Sequence, residues 1–116
     1  MKRIILLAGA VAIAGCASPT MMDMRSQGAA ATYTSTREEA SVAKCILFAW
    51  QDMTLAGAPV MASMQPGRDG GFTVVAHGSD YFADIKASPE GAVVDYYHIS
   101  NSWISKRLKL PLQQCL

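Results

Sequence analysis

The chain has 116 residues, with 10 lysines and arginines against 9 aspartates and glutamates, a formal net charge of +1. This near-neutral balance argues against a nucleic-acid-binding protein, which would call for a basic surface, and it provides no strong field that could steer a charged partner. The length is sufficient for one modest hydrophobic core and therefore predicts a single folded domain.

The N-terminus has the pattern of a secretion signal. Lys2 and Arg3 precede an apolar run over residues 4–14, and Ile13-Ala14-Gly15-Cys16 places small residues directly before a cysteine. The apolar run has eleven residues, whereas about 20 are needed to span a bilayer. The length of the run therefore argues against an uncleaved membrane anchor.

These four residues resemble the lipobox of bacterial lipoproteins, and the chain is similar to the small lipoproteins of Gram-negative bacteria. The resemblance implies a signal peptide over residues 1–15 and a Cys16 that carries diacylglycerol and an N-acyl chain such as palmitate, with no other cofactor. An aspartate after the acylated cysteine commonly retains such proteins in the inner membrane, but Ala17 stands there. The resemblance therefore implies a lipid anchor in the outer membrane, on its periplasmic side. It extends to no specific domain family.

The rest of the chain is expected to divide into a tether and a domain. Residues 16–34 are predicted to be the lipidated cysteine and a flexible tether, because residues 17–33 are mostly small, polar and aperiodic. A random coil of that length would reach about 20–25 Å. Residues 35–116 are predicted to form a single periplasmic α+β domain.

Two cysteines remain once the lipobox has taken Cys16, namely Cys45 and Cys115. In an oxidising compartment these two are expected to form a disulfide. The bridge would stabilise the domain by about 4 kcal/mol in the chain-entropy view. Two buried free thiols are the alternative.

A helix is predicted after the tether. Ser35 or Thr36 can cap it, with Glu38 or Glu39 three residues further on to complete a capping box. An apolar stripe at helical spacing follows, consisting of Val42, Cys45, Ile46, Ala49, Trp50 and Met53. Gly57 and Pro59 are expected to end the helix.

An antiparallel meander is predicted for the middle of the chain, with strands over residues 60–64, 72–77, 81–86 and 92–99. A two-residue turn at Gly78-Ser79 would join the second strand to the third. One shared face is then expected to carry Phe72, Val74, Ala76, Tyr81, Ala83 and Ile85.

The register of the last strand depends on the turn before it. If residues 88–91 form a turn followed by a bulge, the residues that face the core are Val93, Tyr97 and Ile99. Turn chemistry favours this register, which also directs Asp95 towards the core. Without the bulge, Asp95 faces solvent opposite Asp84, and the inward residues are Val94, Tyr96 and His98.

A short helix near the C-terminus, capped by Ser100 or Asn101 and ended by Pro111, completes the prediction. The predicted fold class is α+β, with an N-terminal helix packed on a three- to four-stranded antiparallel meander, a short C-terminal helix and one disulfide.

The C-terminal helix carries the candidate interaction residues. The basic cluster of Lys106, Arg107 and Lys109 lies next to Trp103, and an aromatic residue beside cations suits contact with anionic lipid or glycan. An ordinary solvated helix face is the alternative. Further candidates are Tyr96 and Tyr97, one of which faces away from the core in either register.

No catalytic residue and no metal site is predicted. Acid–base candidates are His77, Asp80 and Asp84, but a turn offers neither a nucleophile nor a concave site. Met61 and Met64 have a spacing known for Cu(I), yet they fall on opposite faces of a strand. We therefore expect a protein that is not an enzyme.

The expected function is that of a small membrane-anchored interaction module of the cell envelope. Its partners would be the membrane, through the lipid anchor, and an envelope protein or other envelope component, with no nucleic acid. The alternative is an inhibitor or immunity protein that blocks a periplasmic lytic enzyme, with residues 65–71 as its protruding loop.

Overall fold

The computed structural model describes residues 19–116. The predicted signal peptide over residues 1–15 and the predicted acylation site Cys16 lie outside these residues. The described part of the chain contains ten main elements in this order: α1 (Met21–Gln27), β1 (Ala31–Ser35), α2 (Glu39–Gln51), β2 (Thr54–Leu55), β3 (Ala58–Pro59), β4 (Ala62–Pro66), β5 (Phe72–Ala76), β6 (Tyr81–Ser88), β7 (Gly91–His98) and α3 (Trp103–Gln114).

Five strands form one antiparallel sheet in the order β1-β7-β6-β5-β4, while β2 and β3 form a separate two-stranded hairpin. Helices α2 and α3 pack on one face of the large sheet, and α1 packs on the other. The predicted α+β class is therefore confirmed. The sheet is larger than the three or four strands expected, because β1 comes from the segment predicted to be a tether.

The prediction of a flexible tether is wrong for residues 19–34. Helix α1 begins in a capping box, in which Asp23 N–H donates to Thr20 Oγ1 at 3.1 Å and Thr20 N–H donates to Asp23 Oδ2 at 2.9 Å. Met24 from this helix is buried against Phe82 and Tyr97. One buried side chain on a two-turn helix gives no apolar periodicity, and the sequence pattern therefore missed it.

Helix α2 is confirmed, but its predicted capping box is wrong. The N-cap is Glu38, whose side chain makes no capping bond, and Ser35 belongs to β1, where its Oγ accepts from Arg37 N–H at 3.1 Å. The buried stripe includes Ile46 and Trp50, and Trp50 Nε1 donates to the carbonyl of Leu108 at 3.0 Å. This bond ties α2 to α3 inside the core.

The predicted disulfide is present between Cys45 and Cys115, with their Cα atoms 5.6 Å apart. Two further bonds hold the C-terminus beside it. Arg37 Nη1 donates to the carbonyl of Cys115 at 2.8 Å, and Ser35 Oγ donates to the carbonyl of Leu116 at 3.3 Å. The last residues are therefore fixed against β1 and α2.

Helix α3 is longer than predicted: it extends to Gln114, and Pro111 lies inside it instead of ending it. Its N-cap is Ser102, whose Oγ accepts from Ser105 N–H at 3.3 Å. Neither of the predicted caps, Ser100 and Asn101, is used. The helix continues beyond Pro111 because the last turn is held by the buried Leu112 and by the disulfide at Cys115.

The predicted shared face of β5 and β6 is confirmed, since Val74 pairs with Ala83 and Ala76 pairs with Tyr81 across the two strands. The predicted two-residue turn is wrong. A 3₁₀ turn at His77–Ser79 joins the strands instead, with φ positive at all three residues.

The favoured register of β7 is wrong, and the alternative register is the observed one. Ser88 pairs directly with Gly91, so there is no bulge, and Val94 and Tyr96 face the core. Gly91 has φ of 148°, and a Cβ on it would lie 2.8 Å from Thr36 Cα. The glycine is needed because the backbone after β1 passes close to it, a long-range contact that turn chemistry does not encode.

No helix among residues 19–116 is long and apolar enough to cross a membrane.

Candidate interaction surface

The face of the sheet opposite α2 is only partly covered, because α1 has seven residues. Under α1, Phe82 and Tyr97 stack with their ring centroids 4.6 Å apart, and Met24 packs on them. This small apolar cluster fastens α1 to the sheet. The rest of this face is polar and open, and it forms the candidate interaction surface.

An ion pair joins α1 to the centre of the sheet. Arg25 Nε donates to Asp84 Oδ2 and Arg25 Nη2 to Asp84 Oδ1, both at 2.8 Å. Thr73 Oγ1 donates to Asp84 Oδ1 at 2.6 Å, and the guanidinium lies over the Phe82 ring, 4.9 Å from its centroid. The Asp84 carboxylate raises the pKa of Arg25 above its ordinary value. This two-pronged geometry is the strongest form of side-chain ion pair.

Arg25 also explains how the sheet tolerates two facing carboxylates. Asp84 and Asp95 are direct cross-strand partners, an arrangement that is destabilising without compensation. Arg25 neutralises the first, and Thr32 Oγ1 donates to Asp95 Oδ1 at 2.8 Å. The like-charge pair could be predicted from the sequence in the observed register, but the arginine could not, because Arg25 lies in the segment predicted to be a tether.

A cleft of about 170 Å³ opens beside this ion pair. Its floor includes Lys86, Asp95 and Tyr97, and its wall is the loop of residues 67–70 between β4 and β5. Burial and the nearby Asp95 and Asp84 carboxylates raise the pKa of Tyr97. The cleft is lined by charges of both signs, which suits polar recognition of a partner's side chains.

The loop of residues 67–70 is held in one shape by its own backbone. Gly67 N–H donates to the carbonyl of Gly71 at 2.9 Å, and Gly70 N–H donates to the carbonyl of Gly67 at 3.3 Å. Arg68 and Asp69 at its tip are exposed. The loop thus presents one cation and one anion on a fixed support, within the segment that the sequence identified as protruding.

The predicted interaction residues do not form one patch. Trp103 has 56% of its surface exposed, Lys106 and Arg107 are exposed beside it, and Lys109 is half-buried. The two tyrosines lie elsewhere: Tyr96 is fully buried in the core and Tyr97 is buried under α1. Tyr96 is therefore unavailable to a partner, whereas the Trp103 cluster on α3 remains a candidate surface.

A serine–histidine pair in the core has the residue types of a catalytic site but not its accessibility. Ser105 Oγ lies 2.6 Å from His98 Nδ1 and 2.8 Å from the Tyr96 hydroxyl. Burial raises the pKa of Tyr96, and burial together with Lys109 lowers the pKa of His98. Ser105 has no exposed surface, so no substrate can reach its hydroxyl. The pair connects β7 to α3 and has a structural role.

The remaining polar candidates are scattered. His77 and Asp80 belong to the 3₁₀ turn and its C-cap, away from Asp84 in the middle of β6. Among residues 19–116, no group of three or more potential ligands of the His, Cys, Asp or Glu type is placed to hold a metal ion.

Comparison with known proteins gives no family for this fold. No protein-family model matches the sequence, no curated protein is similar to it, and no solved structure matches it.

Proposed function

We propose that this protein is a lipid-anchored, non-enzymatic interaction module of the bacterial cell envelope. In this proposal the chain is exported, cleaved before Cys16 and acylated on that cysteine, and the domain then faces the periplasm from the outer membrane. The lipobox residues support export, and a Cys45–Cys115 disulfide is in keeping with an oxidising compartment.

The observation that carries the proposal is the short distance along the chain between the lipobox and the folded domain. The domain begins at Thr20, the N-cap of α1, four residues after Cys16. Four extended residues span at most about 14 Å. A domain attached so closely would be held at the membrane surface, where it would meet other envelope components at high local concentration.

The cleft on the open sheet face is the proposed site for a protein partner. Its charges are of both signs, with Arg68, Asp69, Lys86 and Asp95 around the partly buried ion pair. Such a lining favours salt bridges and hydrogen bonds to a polar protein surface over the burial of an acyl chain or of a polyanion.

Two measurements test this function. Intact mass and membrane fractionation of the mature protein should show a diacylglyceryl adduct on Cys16, absent in Cys16→Ser. A photo-crosslinking residue at Arg68 should then capture a defined envelope protein in cells, whereas the same residue at the exposed Lys44 on α2 should not. An unmodified full-length product, or equal labelling from both positions, would refute the proposal.

The fixed loop of residues 67–70 favours a second candidate, a periplasmic inhibitor of a lytic enzyme. Inhibitors commonly present a pre-organised loop, because its rigidity lowers the entropy cost of binding. Arg68 or Asp69 would then enter the enzyme's cleft. Purified protein should inhibit a glycan-cleaving enzyme of the envelope, and Arg68→Ala with Asp69→Ala should abolish inhibition. Binding to an envelope protein with no effect on such enzymes would favour the first function.

A further inference from the structure

We infer that one end of the domain docks on an anionic phospholipid surface, with the strands of the sheet standing roughly upright on the membrane. This end, where β7 finishes and α3 begins, carries Ile99, Trp103, Lys106 and Arg107, and we name these four residues the docking end. The inference rests on the proposed acylation of Cys16.

The place at which the described chain begins points to this end. Pro19 lines one cavity together with Ile99 and Ser100, which follow directly after β7. Pro19 is the third residue after Cys16, and an extended chain of that length spans at most about 11 Å. An acyl anchor on Cys16 must therefore enter the bilayer close to the docking end.

The chemistry of the docking end matches a phospholipid headgroup layer. Ile99 and Trp103 are both exposed large apolar residues, and tryptophan prefers the boundary between headgroups and acyl chains. Lys106 and Arg107 are exposed one turn further along α3, about 5 Å from Trp103. With Trp103 at the boundary between headgroups and acyl chains, both cations would lie at the level of the lipid phosphates. Helix α3 contains no acidic residue, and among residues 19–116 the single salt bridge is Arg25–Asp84. These cations thus have no carboxylate partner in the described chain.

The direction of α3 determines the orientation. Ser105 near its start contacts His98 at the docking end, whereas Leu116 after its end is bonded to Ser35 at the opposite end of the sheet. Leu110 is 58% exposed but lies about 10 Å further along the helix. It would touch lipid only if α3 lay flat. The loop of residues 67–70 precedes β5, which runs towards the docking end, so upright docking places this loop at the end of the sheet away from the membrane.

The test uses the acylated full-length protein in vesicles of phosphatidylcholine with and without phosphatidylglycerol, containing lipids brominated on their acyl chains. Trp103 emission should be quenched in the anionic vesicles. Trp50 is buried in the core and contributes background emission, which is measured with the Trp103→Phe variant. Each reversal changes the charge by two units, so Lys106→Glu with Arg107→Glu should lower the ratio of docked to undocked protein by more than about fivefold per residue.

Matched variants separate docking from anchoring and from general electrostatics. Lys44→Glu, compared with Lys106→Glu alone, changes the net charge equally but lies on the exposed surface of α2, and should leave quenching intact. Leu110→Ser should also leave it intact, whereas loss of quenching there would overturn the upright orientation. Acylated protein that floats with vesicles but has unquenched Trp103 would overturn the docking and leave the anchor standing. A protein whose mass shows no lipid on Cys16 would overturn both.

Discussion

The ion pair between Arg25 and Asp84 should hold α1 on the sheet, and Arg25→Met tests this directly. Methionine retains much of the packing over Phe82 but removes every bond to the carboxylate. Asp84 would then keep only the Thr73 hydroxyl and would face Asp95 without a neutralising cation. We expect the domain to lose stability, because a largely buried charge is left without its partner.

The magnitude follows from the burial of the pair. Removing one member of a fully buried ion pair costs about 3–5 kcal/mol. Here the side chains are 23% and 12% exposed for Arg25 and Asp84, so water compensates part of the loss, and we expect about 2 kcal/mol. In a domain of this size that corresponds to a fall in Tm of roughly 10 °C.

Urea unfolding of the oxidised protein gives the free energy, and hydrogen exchange of residues 21–27 reports on α1 itself. The matched control is Arg107→Met, which removes an exposed arginine from α3 and should change stability by less than about 0.5 kcal/mol. A double-mutant cycle with Asp84→Asn isolates the coupling of the two side chains. Unchanged stability and fast exchange in the unmutated protein would mean that residues 19–27 behave as the tether that composition predicted.

Three further outcomes are expected. Reduction of the Cys45–Cys115 bridge, which closes a separation of 70 residues, should lower the free energy of unfolding by about 4 kcal/mol. Deletion of residues 113–116 should lower it further in urea titrations, because the deletion also removes the bonds from Ser35 and Arg37 to the C-terminus. Equal values would contradict the role of those bonds. Burial and Lys109 lower the folded-state pKa of His98. The contribution of His98 to the free energy of unfolding should therefore be complete above about pH 6.5 and be lost as the pH drops through the folded-state pKa. The same pH dependence in His98→Gln would assign it to another group. Gly91→Ala should destabilise the domain by about 1–3 kcal/mol in thermal melts, and a neutral result would remove the steric reason for this glycine.

The sequence predicted the elements whose signal is local and repeated. The α2 stripe contains enough turns for its period to be visible, and the alternation in β5 and β6 is regular on both strands. The disulfide followed from counting cysteines once Cys16 had been assigned. Each of these predictions depends on residues that are near neighbours in sequence or on a pairing with a single solution.

The errors have one physical origin, namely contacts between distant parts of the chain. Gly91 follows residues that favour a turn, but a glycine is needed there because the backbone at Thr36 leaves no room for a Cβ. A proline usually ends a helix, yet α3 continues past Pro111 because the disulfide at Cys115 holds the last turn. Arg25 lies in a segment of low hydropathy, and its partner Asp84 is 59 residues away. The candidate cleft was missed because it exists only when those distant residues meet.

Correcting the tether changes what a lipid on Cys16 would do. A coil over residues 16–34 would let the domain sample positions about 20–25 Å from the bilayer in any orientation. With α1 fastened by Arg25, the chain between Cys16 and Thr20 can span at most about 14 Å. A connection this short would fix which end of the domain lies near the lipid and would leave the domain little freedom to change its orientation. Under the proposed acylation, the Arg25–Asp84 pair therefore contributes to orientation as well as to stability, because it determines where on the domain the membrane attachment begins.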